Sequence, residues 1–380
     1  STGAASTARA AHQAASPLGC RAVVGWARAA IQRRRSLSRS AGTPAPIIPW
    51  AENRNSASQM PHLAAEQSPT SGKPTHHQND RVHTPTRPDL PALALFLLVS
   101  FLGAWLVASP LWLSGQGLAT PGSTVLLIAM MFTPSLGVLA VRLTLRRNRP
   151  NPPTGFRSPG IRRWWGWALV AWLAPLAITV LSLVLATAVG SYEPDFTLSG
   201  LSQLIEQQTG APLPVSPWTI VIAQLVSSLV IGWLNVIPAL GEEWGWRGWL
   251  LPELLGLGTW PALIISGVVW GLWHAPVILL GYNYPNHHPV VGLLLMVCFC
   301  TALSVVLGWM RLRSESVWPA AIGHAFVNAA AGLPVLFVAA GAEIDNASVG
   351  LLGWTGWVIT GIAFLAGWRL TKSRTPDPAP

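Results

Sequence analysis

Eight long apolar runs follow one another after Asp89, near 91–113, 122–142, 164–189, 218–245, 259–280, 290–310, 318–340 and 350–369. Each is close to or above the roughly 20 residues with which an α-helix crosses a bilayer. The pattern predicts an all-α fold, a polytopic membrane bundle of about eight transmembrane helices occupying residues 89–372. The polar connectors set its orientation. Residues 142–163, RLTLRRNRPNPPTGFRSPGIRR, hold seven arginines, and RLR at 311–313 and RLTKSR at 369–374 are also basic. The alternate connectors, 114–121, 190–217, 281–289 and 341–349, contain no Lys or Arg. The positive-inside rule therefore puts the basic connectors and both termini in the cytoplasm. The expectation is a multi-pass protein of the plasma (inner) membrane. Tryptophans at 164, 165, 167, 249 and 260 fall near the predicted interfaces, where an amphipathic ring is stable.

Composition adds two boundaries. Residues 1–88 carry no apolar period, are rich in Ala, Ser, Pro, Arg and His, and reach their first acidic residue at Glu52. That is the composition of a transit peptide. The segment reads as a disordered or non-native N-terminal extension, with Met60 as an alternative start, and 373–380 as a cytoplasmic tail. Only 10% of residues are charged and the mean hydropathy is +0.43, whereas soluble domains carry about 25% charged residues. A net charge of +10 does not indicate nucleic acid, because the arginines cluster between spans and in the tails. Cys20, Cys298 and Cys300 form no metal or disulfide pattern, and the last two read as packing residues.

Ionisable groups inside spans cost about 2.5–3.5 kcal/mol on insertion scales, so they point to function. Three clusters stand out. In GEEWGWRGWL, Glu243 and Arg247 are four residues apart and share a helical face, while Glu242 is turned about 100° away and can face a cavity. In WGLWHAPV, His274 follows Trp270 by one turn and precedes Pro276, which kinks a helix and frees a carbonyl. If LPELLGLG turns a hairpin near Gly258, Glu242 and His274 are each 16 residues from it and sit at similar depth. In GHAFVN, His324 and Asn328 project from one face. By residue count His324 lies shallower than His274. The bland readings are a balanced charge at the membrane edge, a packing histidine and an interhelical hydrogen bond. Asn235 and Pro238 precede the acidic pair. His287 and His288 read as an outer loop, not a metal site.

A carboxylate, two histidines and an amide from three helices are the parts of a hydrolytic site. A buried glutamate suits a general base that activates water, a histidine orients that water, and a second histidine with an asparagine donates to an oxyanion. Glu242, His274 and His324 equally form a candidate zinc set with an open position. No HExxH, GxSxG or GxxxxGK[ST] occurs, which argues against zincins, α/β-hydrolases and nucleotide-driven pumps.

EEWGWRGWLLPEL, WGLWHAP and HAFVN resemble, in order, the three motifs of the CPBP family of intramembrane proteases. That family includes type II CAAX prenyl endopeptidases and bacterial, Abi-like relatives linked to bacteriocin processing and immunity. The resemblance covers about 215–335 closely and departs in one place, Trp270, where phenylalanine is commoner. It implies an eight-helix CAAX-type intramembrane endopeptidase with a cavity open to the cytosol and a membrane-associated protein or peptide as substrate. Glu242 would be the base, with His274 holding the water. His324 and Asn328 would stabilise the oxyanion, with Glu243, Arg247 and Trp270 in support. Zinc is left open. Two alternatives stand beside it. One is a non-catalytic membrane immunity or scaffold protein. The other is a transporter using Glu242 and His274 as a proton relay, which the absence of paired halves disfavours.

Overall fold

In the computed structural model, residues 88–147, 153–156 and 160–372 are described. The expectations for 1–87 and for the tail 373–380 lie outside the described residues. Among the described residues there are thirteen α-helices: α1 (Leu90–Leu113), α2 (Ser123–Met130), α3 (Thr133–Leu143), α4 (Ile161–Ala188), α5 (Ser199–Thr209), α6 (Pro217–Val230), α7 (Val236–Gly245), α8 (Leu251–Leu254), α9 (Thr259–Trp273), α10 (Ala275–Ile278), α11 (Pro289–Ser314), α12 (Trp318–Ala330) and α13 (Trp354–Lys372). No strand occurs among the described residues, and Pro194 and Val338 form an isolated bridge.

The all-α membrane bundle is as expected, but the span count differs. Among the described residues, six helical stretches are long and apolar enough to cross a membrane: 90–113, 123–143, 161–188, 217–257, 289–314 and 318–337. The expected fifth span stops after 15 residues at Trp273. At about 1.5 Å per residue α9 reaches only about 22 Å, against a hydrocarbon core of about 30 Å. His274 and Pro276 interrupt it before α10 resumes. The expected eighth span is the helix α13, which is not among the six and whose last turn carries Arg369 and Lys372. The expected fourth span is instead a broken rod: a 3-10 turn at Ile231–Asn235 separates α6 from α7, and a π-helical turn at Trp246–Leu250 separates α7 from α8. Gly258, at φ +99°, then turns the chain into α9, as the hairpin reading requires.

Two close helix contacts position the site. Gly267 and Gly271, four apart on α9, meet the backbone of α11; a Cβ on either would fall 2.5 Å from Thr301 Cα or Val297 Cα. Small residues at this spacing let membrane helices approach each other. Gly271→Val should therefore force α9 and α11 apart. Overpacking of this kind costs about 1–3 kcal/mol, and the check is a lowered unfolding midpoint of the detergent-purified protein. On the basic side, Arg146 bridges Glu253 at 2.5 Å and Asp89 at 3.2 Å, tying the arginine-rich connector to α8 and to the start of α1. Trp249 departs from the interfacial expectation. It is fully buried and stacks on Phe96 with ring centroids 4.6 Å apart, because the turn at Gly258 places it inside the bundle.

Candidate active site

The site begins with the way α7 is pressed onto α3. Gly241 and Gly245 face Phe132 and Pro134, where any side chain would collide. Ser135 Oγ donates to the Gly241 carbonyl at 2.5 Å. With its glycine face on α3, the helix turns Glu242 and Glu243 toward the interior, where both are buried. The π-helical turn follows directly, and such turns cluster at functional sites.

The two carboxylates have separate partners. Glu243 Oε1 accepts from Arg247 Nη1 at 2.7 Å and from His324 Nδ1 at 2.9 Å, with side-chain exposures of 0% for Glu243 and Arg247 and 4% for His324. Glu242 Oε2 accepts from Trp270 Nε1 at 2.7 Å and, more weakly, from Trp246 Nε1 at 3.4 Å. The i,i+4 pairing read from the sequence is present, and Glu242 is the acid that it leaves over.

Trp270 connects the parts. Its indole N–H holds Glu242, and its ring lies beneath the Arg247 guanidinium, 4.2 Å from the centroid. Its carbonyl sits 2.9 Å from His274 Nδ1. A carbonyl only accepts, so Nδ1 carries the proton and Nε2 is the basic atom of that ring. The Trp270 ring also separates the two imidazoles, at 5.8 Å from His274 and 5.2 Å from His324.

Glu242, Trp270, His274, His324 and Asn328 all line one cavity of about 90 Å³. A water needs about 10–15 Å³ of such space, so several fit. Glu243 and Arg247 lie behind this wall and do not line it. Among the residues that the motifs did not point to, Met131, Tyr282 and Asn283 also line the cavity. The Asn283 amide donates to Met296 Sδ at 3.7 Å. An exposed-looking loop sequence, YNYPN, gave no signal of this. Asn235 is exposed at the 3-10 break. His287 pairs with Asp345 at 2.7 Å, and Cys300 is buried with its Sγ 3.9 Å from His274 Nδ1.

The candidate zinc ligands are Glu242, His274 and His324, which share this cavity. His274 Nδ1 and His324 Nδ1 are engaged by a carbonyl and a carboxylate, and Glu242 Oε2 takes two indole N–H groups. Among the described residues no group of three or more His, Cys, Asp or Glu side chains is arranged to hold a metal ion.

Trp270→Phe removes the indole N–H and keeps an aromatic ring beneath Arg247. Loss of a hydrogen bond to a charged group costs about 1.5–3 kcal/mol, or about 10- to 100-fold if the bond is used in turnover. The expected result is a fall in kcat with little change in KM or in the unfolding midpoint. Equal loss from Trp246→Phe would contradict the assignment, since that bond is long.

These features define a class: a multi-pass helical membrane protein whose broken and membrane-length helices gather a carboxylate, two imidazoles and an amide around an internal cavity. Residues 223–330 match the family described as type II CAAX prenyl endopeptidase, Rce1-like. Over 101 residues the chain is 30% identical to CAAX prenyl protease 2 of Methanococcus maripaludis, a stretch that covers 25% of this chain and 37% of that relative. The resemblance drawn from the three motifs is borne out: the stretch carrying all three is similar to this family. The match spans little more than a third of the relative's length.

Proposed function

We propose that the protein is an intramembrane endopeptidase that hydrolyses a peptide bond of a membrane-associated protein or peptide. The observation that carries this is the meeting of Glu242, His274, His324 and Asn328 on one internal cavity, within the stretch that matches the CAAX endopeptidase family. A water in the cavity hydrogen-bonds to the Glu242 carboxylate and to His274 Nε2. Glu242 takes a proton from it as the oxygen attacks the scissile carbonyl carbon. The carbonyl oxygen becomes an oxyanion, held by the Asn328 amide and the His324 ring. The intermediate collapses with cleavage of the C–N bond, and the proton on Glu242 passes to the leaving nitrogen. The products are a carboxylic acid and an amine, which settle as carboxylate and ammonium once the acid proton moves to the amine.

Glu243 has a positioning role in this scheme. It fixes His324 through Nδ1, so that Nε2 is the ring atom left for the oxyanion. With His324 as imidazolium, both ring nitrogens donate, and Glu242 and Glu243 are balanced in charge by Arg247 and His324. The basic connectors support an orientation with both termini in the cytoplasm, and the plasma membrane is the proposed location.

The relative's name, CAAX prenyl protease 2, makes a peptide with a prenylated C-terminal CAAX sequence the first substrate to assay, alongside its unprenylated counterpart. Purified protein should cleave such a peptide, and Glu242→Gln, His274→Ala and His324→Ala should each stop it. Cleavage that survives all three changes in folded protein would sink the proposal. Persistence of a biological effect in Glu242→Gln would instead favour the scaffold or immunity reading. Metal analysis addresses the zinc expectation. The glutamate-and-water scheme expects none, and one zinc per chain that disappears in Glu242→Gln would place Glu242 among metal ligands.

A further inference from the structure

A second cavity, of about 530 Å³, lies between α4, α11 and α13. Its sides are apolar, formed among others by Trp165, Val170, Trp309, Trp357 and Phe364. Its floor includes Phe299, Leu303 and Val327, which also line the cavity of Glu242. The two spaces are therefore divided by a single layer of side chains. One end of the groove is different. Arg162 and Arg163, on the first turn of α4, and Thr371, on the last turn of α13, form its mouth. Arg163 is ion-paired with Glu315. Arg162 has no ion-pair partner among the described residues, so the mouth keeps an excess of one positive charge.

Length and charge identify the occupant. From Arg162 to Ile178, both lining the groove, α4 rises about 24 Å at about 1.5 Å per residue. That exceeds one leaflet's hydrocarbon of about 15 Å, so a chain lying along the whole trough runs past the bilayer midplane unless α4 is tilted. An apolar trough of this reach, opening at a basic rim, fits a lipid tail with an anionic head. We propose that this groove binds one anionic phospholipid, its phosphate on Arg162 and Arg163 and one acyl chain lying along α4. The chain end then packs behind Phe299 and Leu303, on the far side of the wall from Glu242. The assignment is independent of whether the neighbouring cavity performs hydrolysis.

The test is native mass spectrometry of the full-length, delipidated protein titrated with phosphatidylglycerol or phosphatidylcholine. The wild type should retain one phosphatidylglycerol per chain in preference to phosphatidylcholine. Basic residues at a membrane surface contribute about fivefold each to anionic-lipid binding. Arg162→Gln with Arg163→Gln should bring phosphatidylglycerol down to the phosphatidylcholine level. Ala302→Trp, which fills the groove, should lower retention of both lipids. Equal retention of the two lipids by the wild type would overturn the proposal, as would phosphatidylglycerol binding left intact by both variants.

Discussion

Glu242→Gln is expected to lower peptide hydrolysis by about 10²- to 10⁴-fold, the usual contribution of a positioned general base, with the fold left intact. The substitution keeps the size of the side chain and an oxygen that can accept from the Trp270 indole, which lies 2.7 Å from the carboxylate. What it removes is the ability to take a proton from water. The unfolding midpoint should therefore stay near that of the wild type while kcat collapses. This pairing of results matters because Glu242 is buried, and a loss of activity alone would be equally consistent with misfolding. Asn328→Ala should cost about 10²- to 10³-fold in kcat, the range for a lost oxyanion donor, and its effect on KM should be small.

The largest stability effect is expected at Arg247. Its Nη1 meets Glu243 at 2.7 Å with both side chains fully buried. Removing one member of such a pair costs about 3–5 kcal/mol, because Glu243 then stays buried with the His324 ring as its remaining ionic partner. Arg247→Met should lower the unfolding midpoint and the yield of folded protein, whereas Arg247→Lys should lose less. The surroundings increase this sensitivity. Glu243 Oε2 and Arg247 Nε and Nη2 are buried without a hydrogen-bond partner among the described residues, so the pair has little to fall back on. Glu243→Gln combined with Arg247→Met removes both charges and should recover part of the loss. An Arg247→Met protein as stable as the wild type would show that the ion pair contributes nothing to the bundle.

The parts of this site that were legible in the sequence are the local ones. Glu243 with Arg247, and Trp270 with His274, are each four residues apart, and helical geometry alone brings them together. The turn at Gly258 was legible from the run LPELLGLG and the equal counts on either side of it. The contacts that complete the site span 28 residues for Trp270 to Glu242 and 81 for His324 to Glu243. No periodicity encodes them. Trp270 is a supporting residue by the motif resemblance, but nothing in the sequence indicates that its N–H would find a carboxylate. His324 reads as an oxyanion donor or a zinc ligand, whereas one of its nitrogens is held by the supporting acid. The π-helical turn at Trp246–Leu250 was equally hidden, since a single i→i+5 turn leaves no repeat to detect. The two expected spans that fell outside the six share a simpler reason. An apolar run predicts burial in lipid, but His274 with Pro276, and Arg369 with Lys372 in the last turn of α13, determine how long and how apolar the helix is.

The central claim is that Glu242 and His274 act together on one water. A double-mutant cycle on kcat tests it most directly, using Glu242→Gln, His274→Ala and the double variant in folded protein. Groups that work as a unit lose their shared effect once, so the double variant should be no slower than the worse single variant. Losses that multiply would show the two side chains working independently and would contradict the account.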